Sequence, residues 1–117
     1  MNGLAFAIVG HLMGDYLLQN DWMAVGKKKS TGICAIHCLI WTISVVCMSQ
    51  WMVWWVPIIL FATHFAQDRT GLVRWYMDHN GQSSFATDLA PWSIIVVDNV
   101  LHLVVIAIIA MALGIKA

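Results

Sequence analysis

Charged side chains are scarce in this sequence of 117 residues: six Lys and Arg and six acidic residues, 10% of the chain. A soluble globule carries about a quarter charged residues, so the chain lacks the polar surface to dissolve as a monomer. The few charges cancel to a formal net of zero, which leaves no broad basic field and argues against nucleic acid as a partner. Cysteine is confined to Cys34, Cys38 and Cys47 within one apolar stretch. That pattern excludes a disulfide scaffold and suits buried thiols acting as small hydrophobes. No basic run follows Met1, so the first apolar stretch reads as a retained helix rather than a cleaved signal peptide. Internal repeats, low-complexity tracts and linkers are absent as well.

What the chain has is apolar length. Hydrophobic residues make up 61% of it and the mean hydropathy is +0.78. Spans of about 20 residues cross a ~30 Å hydrocarbon layer at about 1.5 Å per residue. Four stretches approach that length, at about 3–24, 33–52, 57–72 and 91–113. Lys27-Lys28-Lys29 closes the first, and Ser30-Thr31-Gly32 opens the second. Trp51, Trp54 and Trp55 read as an interfacial belt, and Pro57 and Pro91 fit the first turns of the third and fourth helices. Val73 to Met77 forms a short amphipathic stretch suited to the interface, followed by a turn-like His79-Asn80-Gly81-Gln82. The expected fold is all-α: a polytopic membrane protein of one domain, residues 1–117, built as an antiparallel four-transmembrane-helix bundle with a short interfacial helix before the last span.

In that topology Lys27, Lys28, Lys29, Arg69 and Arg74 share one side and Lys116 lies on the other. The positive-inside rule then makes the first side cytoplasmic and places both termini outside the cytoplasm.

Three polar pairs interrupt the apolar spans: His11 with Asp15, His64 with Asp68, and Asp98 with His102. Each is spaced i, i+4, one turn apart on one helix face. The third is written in reverse, on a helix that runs in the opposite direction. All three therefore set Asp one turn nearer the cytoplasm and His about 6 Å deeper. Ionisable groups at membrane depth are costly and face a bundle interior or cavity. Imidazole and carboxylate suit zinc, manganese or iron, and His37 on the second helix adds a fourth imidazole. The expected metal ligands are His11, Asp15, His37, His64, Asp68, Asp98 and His102, for a divalent ion, with zinc favoured over manganese or iron. Seven exceed the four of a closed structural site, which leaves two metals, or one metal with outer carboxylates orienting the imidazoles.

Around this set, Gly10 and Gly14 form a small-xxx-small pair that admits a neighbouring helix, and Ala62 and Ala66 offer a second. Gln19, Arg69 and Asn99 are candidates for substrate contact or for support of the ligands, Arg69 at the mouth of the site. Cys34 and Cys38 read as packing, Trp22 as an interfacial anchor and His79 as a loop histidine.

Gly10-His11-x-x-Gly14-Asp15-x-x-x-Gln19-x-x-Trp22, His64-x-x-x-Asp68-Arg69 and Asp98-Asn99-x-x-His102 together resemble an uncharacterised domain-of-unknown-function family of small membrane proteins from bacteriophages and bacteria. The resemblance covers nearly the whole chain, with the stretch from Ala90-Pro91-Trp92 to His102 closer to the phage members. It implies the architecture and a place in the host's bacterial inner (cytoplasmic) membrane, and no activity. The paired His-x-x-x-Asp is similar, locally, to the intramembrane metal site of cation diffusion facilitators, whose further helices and cytoplasmic domain this chain lacks.

Three functions fit these residues. The first is a membrane-embedded metal-dependent hydrolase acting on a lipid or lipid-linked phosphate, with Asp15 or Asp68 as general base. The second is a metal-ion or proton transporter or channel, for which four short helices would need a homo-oligomer. The third is a non-enzymatic phage accessory factor for lysis or exclusion, with the polar pairs as helix-to-helix glue. Membrane lipids are the expected partners throughout.

Overall fold

The computed structural model describes residues 3–116, and every regular element among them is helical. The first apolar stretch starts as α1, Leu4–Leu12, and continues as a π-helical turn, Met13–Leu17. It does not run on to Ala24 as one helix. The widened turn closes with Leu18 N–H donating to the Met13 carbonyl, and the chain then breaks before α2, Asp21–Gly26. The break has a local cause: the Asn20 side chain accepts from Met23 N–H and so starts a new helix.

Ser30 repeats that device for α3, Thr31–Ser49, its hydroxyl accepting from Ile33 N–H. Gln50 ends α3 in the left-handed region at φ 58°, its N–H returning to the Val46 carbonyl. α4 covers Trp55–Arg69, with Pro57 in its first turn, where a missing N–H is harmless. α5 covers Leu72–His79, and a second π-helical turn, Phe85–Leu89, precedes α6, Ser93–Ala112. The amphipathic stretch is thus longer than Val73 to Met77, and part of the polar loop is helical.

Two helices are long and apolar enough to cross a membrane, Thr31–Ser49 and Ser93–Ala112; Leu4–Leu17 is a shorter apolar segment. α4, at 15 residues, extends only about 22 Å at 1.5 Å per residue. It stops at Thr70-Gly71, where the chain turns into α5.

α3 is the central helix, flanked by α1 and α4, with α6 closing against both of these. Below the polar cluster, Ala7, Trp41, Val45, Trp51, Val56, Leu60, Ile106, Ile109 and Ala110 form the main core. Trp51 is therefore a core residue, fully buried, while Trp54 is 79% exposed. Trp55 is half-buried against the same core, so of the expected interfacial belt Trp54 is the exposed member. Val73, Met77 and Ala86 form a smaller cluster where α5 and the second π turn meet α6. Polar groups are buried beside this apolar core, and large apolar side chains cover much of the outside. Four histidines and Asp68 are buried, while Phe6, Leu17, Leu39, Ile43, Ile58 and Met111 are among many exposed apolar side chains.

α1 lies against α3 at glycine distance. A Cβ on Gly10 would come within 2.8 Å of the Ser44 carbonyl oxygen, and one on Gly14 within 2.6 Å of the Trp41 ring. Ala62 and Ala66 are exposed and bring no helix close.

Candidate metal centre

The i, i+4 pairs do what their spacing suggests on α4 and α6, where a regular helix stacks the two side chains one turn apart. On α1 the π turn intervenes. It carries Gly14 and Asp15, so Asp15 leaves α-helical register and turns toward α3 and α4. π turns of this kind recur at functional sites.

Asp15, His37, His64 and Asp68 converge from the π turn, α3 and α4. His37 Nε2 lies 3.0 Å from His64 Nε2, 3.2 Å from Asp15 Oδ1 and 3.0 Å from Asp68 Oδ2. His64 Nε2 lies 3.3 Å from the same Asp15 oxygen and 3.1 Å from the same Asp68 oxygen. Ligands about 2.0 Å from a tetrahedral metal ion stand about 3.3 Å from one another. Five of the six edges of this figure therefore sit at or just under the spacing such an ion imposes. All four residues are buried, and Asp15 Oδ1 has no hydrogen-bond donor aligned to it. The group is positioned to bind a metal ion.

Packing holds the rings. His64 is stacked between Trp41 and His102, with both centroids 4.0 Å away. The Nδ1 atoms of His37 and His64 have no hydrogen-bond partner among the described residues. The brace usually found on the far nitrogen of a metal-bound imidazole is replaced, for His64, by this aromatic sandwich.

A second group, Asp15, Asp98 and His102, adjoins the first and shares Asp15 with it. His102 Nε2 lies 3.5 Å from Asp98 Oδ2 and 3.3 Å from Asp68 Oδ1. Gln67 donates to the Asp98 side chain at 2.9 Å and to its carbonyl at 2.7 Å, which fixes that carboxylate.

The remaining expected residues fall in different places. His11 belongs to neither group. Trp41 Nε1–H donates to its Nδ1 at 3.0 Å, so its proton sits on Nε2 and is donated to Asn99 Oδ1. With both nitrogens engaged, His11 and Asn99 support the centre, and Asp15 Oδ2 lies 3.6 Å from the ring. Gln19 donates to the Asp15 carbonyl at 3.1 Å, leaving its Oε1 buried without a partner. Arg69 does not reach the cluster. Its guanidinium binds the Lys28 carbonyl and the Thr31 hydroxyl, tying α4 to the loop before α3. Cys34 and Cys38 are buried with sulfurs 3.8 Å apart, outside both groups.

Three residues at the centre were not singled out by the sequence as parts of it. Trp41 and Gln67 occupy helix positions where an aromatic or an amide ordinarily packs or faces solvent. Lys27 was read as a topology determinant, yet its Nζ lies 3.1 Å from Asp68 Oδ2. Burial works against the Lys27 ammonium, but the Asp68 carboxylate outweighs it and holds the Lys27 pKa above the ordinary lysine value. Its place four residues past Met23, at the end of a capped helix, is the signal that was available.

A cleft of about 310 Å³ opens beside the centre, lined by Asp15, Tyr16, Gln19, Lys27, Lys28 and Asp98 on its polar side. Val73, Ile94 and Ile95 form its apolar wall. This arrangement offers a buried ligand set, carboxylates at the cleft edge, two ammonium groups and an apolar flank.

The model of a family described as "Protein of unknown function (DUF3307)" matches residues 4–116. No curated protein and no solved structure matches the chain.

Proposed function

We propose a role for a chain that belongs to the DUF3307 family: a membrane-embedded, metal-dependent hydrolase acting on a lipid or lipid-linked phosphate. The observation that carries this reading is the convergence of Asp15, His37, His64 and Asp68, five of whose six ligand-atom distances match the spacing round a tetrahedral ion, at the edge of a cleft with a cationic side and an apolar side. Zinc fits that donor set and geometry best, with manganese and iron as alternatives.

An ion held there supplies Lewis acidity and lowers the pKa of a water molecule. The residues divide the rest of the work. Asp68 is fixed from three sides by Lys27, His102 and His37, and serves as a ligand. Asp15 turns Oδ1 toward the ligand group and also lines the cleft, so its second oxygen, Oδ2, is the one suited to take a proton from the attacking water. Lys27 and Lys28 attract the phosphate, and Val73, Ile94 and Ile95 receive the first carbons of an acyl or prenyl chain.

The membrane reading draws on the exposed apolar surface and on the two helices long enough to cross. In it α1 with its π turn and α4 complete a four-span bundle, and the basic end carrying Lys27, Lys28, Lys29, Arg69 and Arg74 faces the cytoplasm of a bacterial host. Substrate then enters from the cytoplasmic leaflet.

The test is metal content followed by turnover. Protein purified in mild detergent, without chelator or nickel affinity resin, should carry at least one equivalent of zinc, manganese or iron, absent from His64→Ala. Asp15→Asn, whose amide oxygen can still reach the ion, should bind it more weakly and lose phosphate release from lipid phosphate esters even at saturating metal. Folded wild-type protein without metal would end the hydrolase reading.

A further inference from the structure

The two ligand groups share more than proximity. Asp68 turns one oxygen, Oδ2, to His37 and His64 at 3.0 and 3.1 Å, and the other, Oδ1, to His102 at 3.3 Å. Asp15 belongs to both groups. Two carboxylates that each face two sets of ligands are the arrangement by which helical bundles hold paired metal ions, with bridging carboxylates between them and terminal ligands on either side. Here the terminal ligands are His37 with His64 on one side, and His102 with Asp98 on the other.

Charge ties a second ion to an anion. Asp15, Asp68 and Asp98 place three formal negative charges in a largely buried cluster, against the Lys27 ammonium paired with Asp68; the Lys28 ammonium stands at the cleft, donating to the Gln67 carbonyl. One divalent ion brings the cluster to neutrality. A second leaves a surplus of two positive charges, which matches a phosphate dianion in the adjoining cleft. The two positions also differ in access. His37, His64 and Asp68 are fully buried, whereas the Asp98 side chain is 23% exposed and lines the cleft with Asp15.

We propose that the centre is binuclear: a first, enclosed ion on Asp15, His37, His64 and Asp68, and a second on Asp98 and His102, bridged to the first by Asp15 and Asp68. The second ion faces the cleft, binds more weakly and is tightened by a phosphate group. Paired ions of this kind clamp the attacking and leaving oxygens of a phosphoryl group, so the substrate class narrows to phosphate esters. The inference rests on the metal-centre reading above and is tested separately from catalysis.

Chelator-stripped protein in nanodiscs is titrated with Mn²⁺, with and without inorganic phosphate. Bound ions per chain are counted by elemental analysis, and low-temperature EPR reports whether they are magnetically coupled. The wild type should take up two ions with an exchange-coupled spectrum, and phosphate should tighten the second by about tenfold, within the usual range of coupling between sites. Asp98→Asn, which keeps an acceptor for Gln67, and His102→Gln should each retain one ion with an uncoupled spectrum. That retained ion shows the fold to be intact. One ion per chain at saturation with or without phosphate, two uncoupled ions, or a coupled pair surviving in both variants would overturn the second site. A phosphate-independent second ion would overturn its role as the anion receiver. A coupled pair without hydrolysis of any phosphate ester removes the hydrolase reading and keeps the second site; hydrolysis with a single ion does the reverse.

Discussion

Trp41 is the side chain on which most of the centre leans. It donates to His11, stacks on His64 and belongs to the apolar core below them. Two substitutions separate these contributions. Trp41→Phe keeps a ring against His64 but leaves His11 Nδ1 buried without its donor, a loss of about 1–3 kcal/mol. Trp41→Leu also removes the stacking face, and metal affinity should fall by about tenfold or more, as when outer supports of metal ligands are removed. Thermal unfolding with and without added metal checks both: the Phe variant should be destabilised yet still shifted upward by metal, the Leu variant much less so. Equal metal response in the two would mean that the stack does not position His64.

At the scale of elements, the decisive feature is the pairing of a π turn with a glycine contact. Gly14 lets that turn lie against α3, and an added Cβ would meet Trp41 Cα at 2.9 Å as well as its ring. Alanine normally gains up to about 1 kcal/mol over glycine in a helix, whereas overpacking costs about 1–3 kcal/mol. The close partner here includes backbone, so the cost wins. Gly14→Ala should lower stability and metal loading together, while Gly71→Ala, where nothing lies within 4 Å of a new Cβ, should change neither. A harmless Gly14→Ala would show that α1 can move off α3 freely.

The sequence made the polar pairs and the Gly10/Gly14 contact legible because both depend only on spacing along one helix. His37 was legible because it is an imidazole in an apolar stretch. The π turn was not, since its residues Met13 to Leu17 are as compatible with an α-helix. Nor was the engagement of His11 by Trp41 and Asn99, which depends on how three helices are rotated about their axes. Arg69 was misplaced for a related reason: adjacency to Asp68 in sequence puts it about 100° round the helix, toward the α2–α3 loop.

For the whole molecule, the long dimension is 42 Å, close to the roughly 40–45 Å of a bilayer with its headgroups. A Cβ on Gly3 would lie 3.7 Å from the Lys116 carbonyl oxygen, so the first and last of the described residues stand side by side. The basic residues gather at the α2–α3 loop and the end of α4, where Lys28 donates to the Gln67 carbonyl and Arg69 to the Lys28 carbonyl. The proposed topology therefore makes a simple demand. In a Cys47→Ser background, Lys29→Cys should resist an impermeant thiol reagent in intact cells and react in inverted vesicles, and Lys116→Cys should do the opposite. The reverse pattern would turn the cleft toward the other leaflet and remove the cytoplasmic substrate pool from the proposal.

The order of the ligands along the chain has a consequence for biosynthesis. Asp15, His37, His64 and Asp68 all precede residue 69, whereas Asp98 and His102 arrive only with α6. Every ligand of the enclosed group has thus been synthesised while the last helix is still unmade. The ribosome supplies the two positions in sequence, the buried one first, and the final helix brings the pair that faces the cleft.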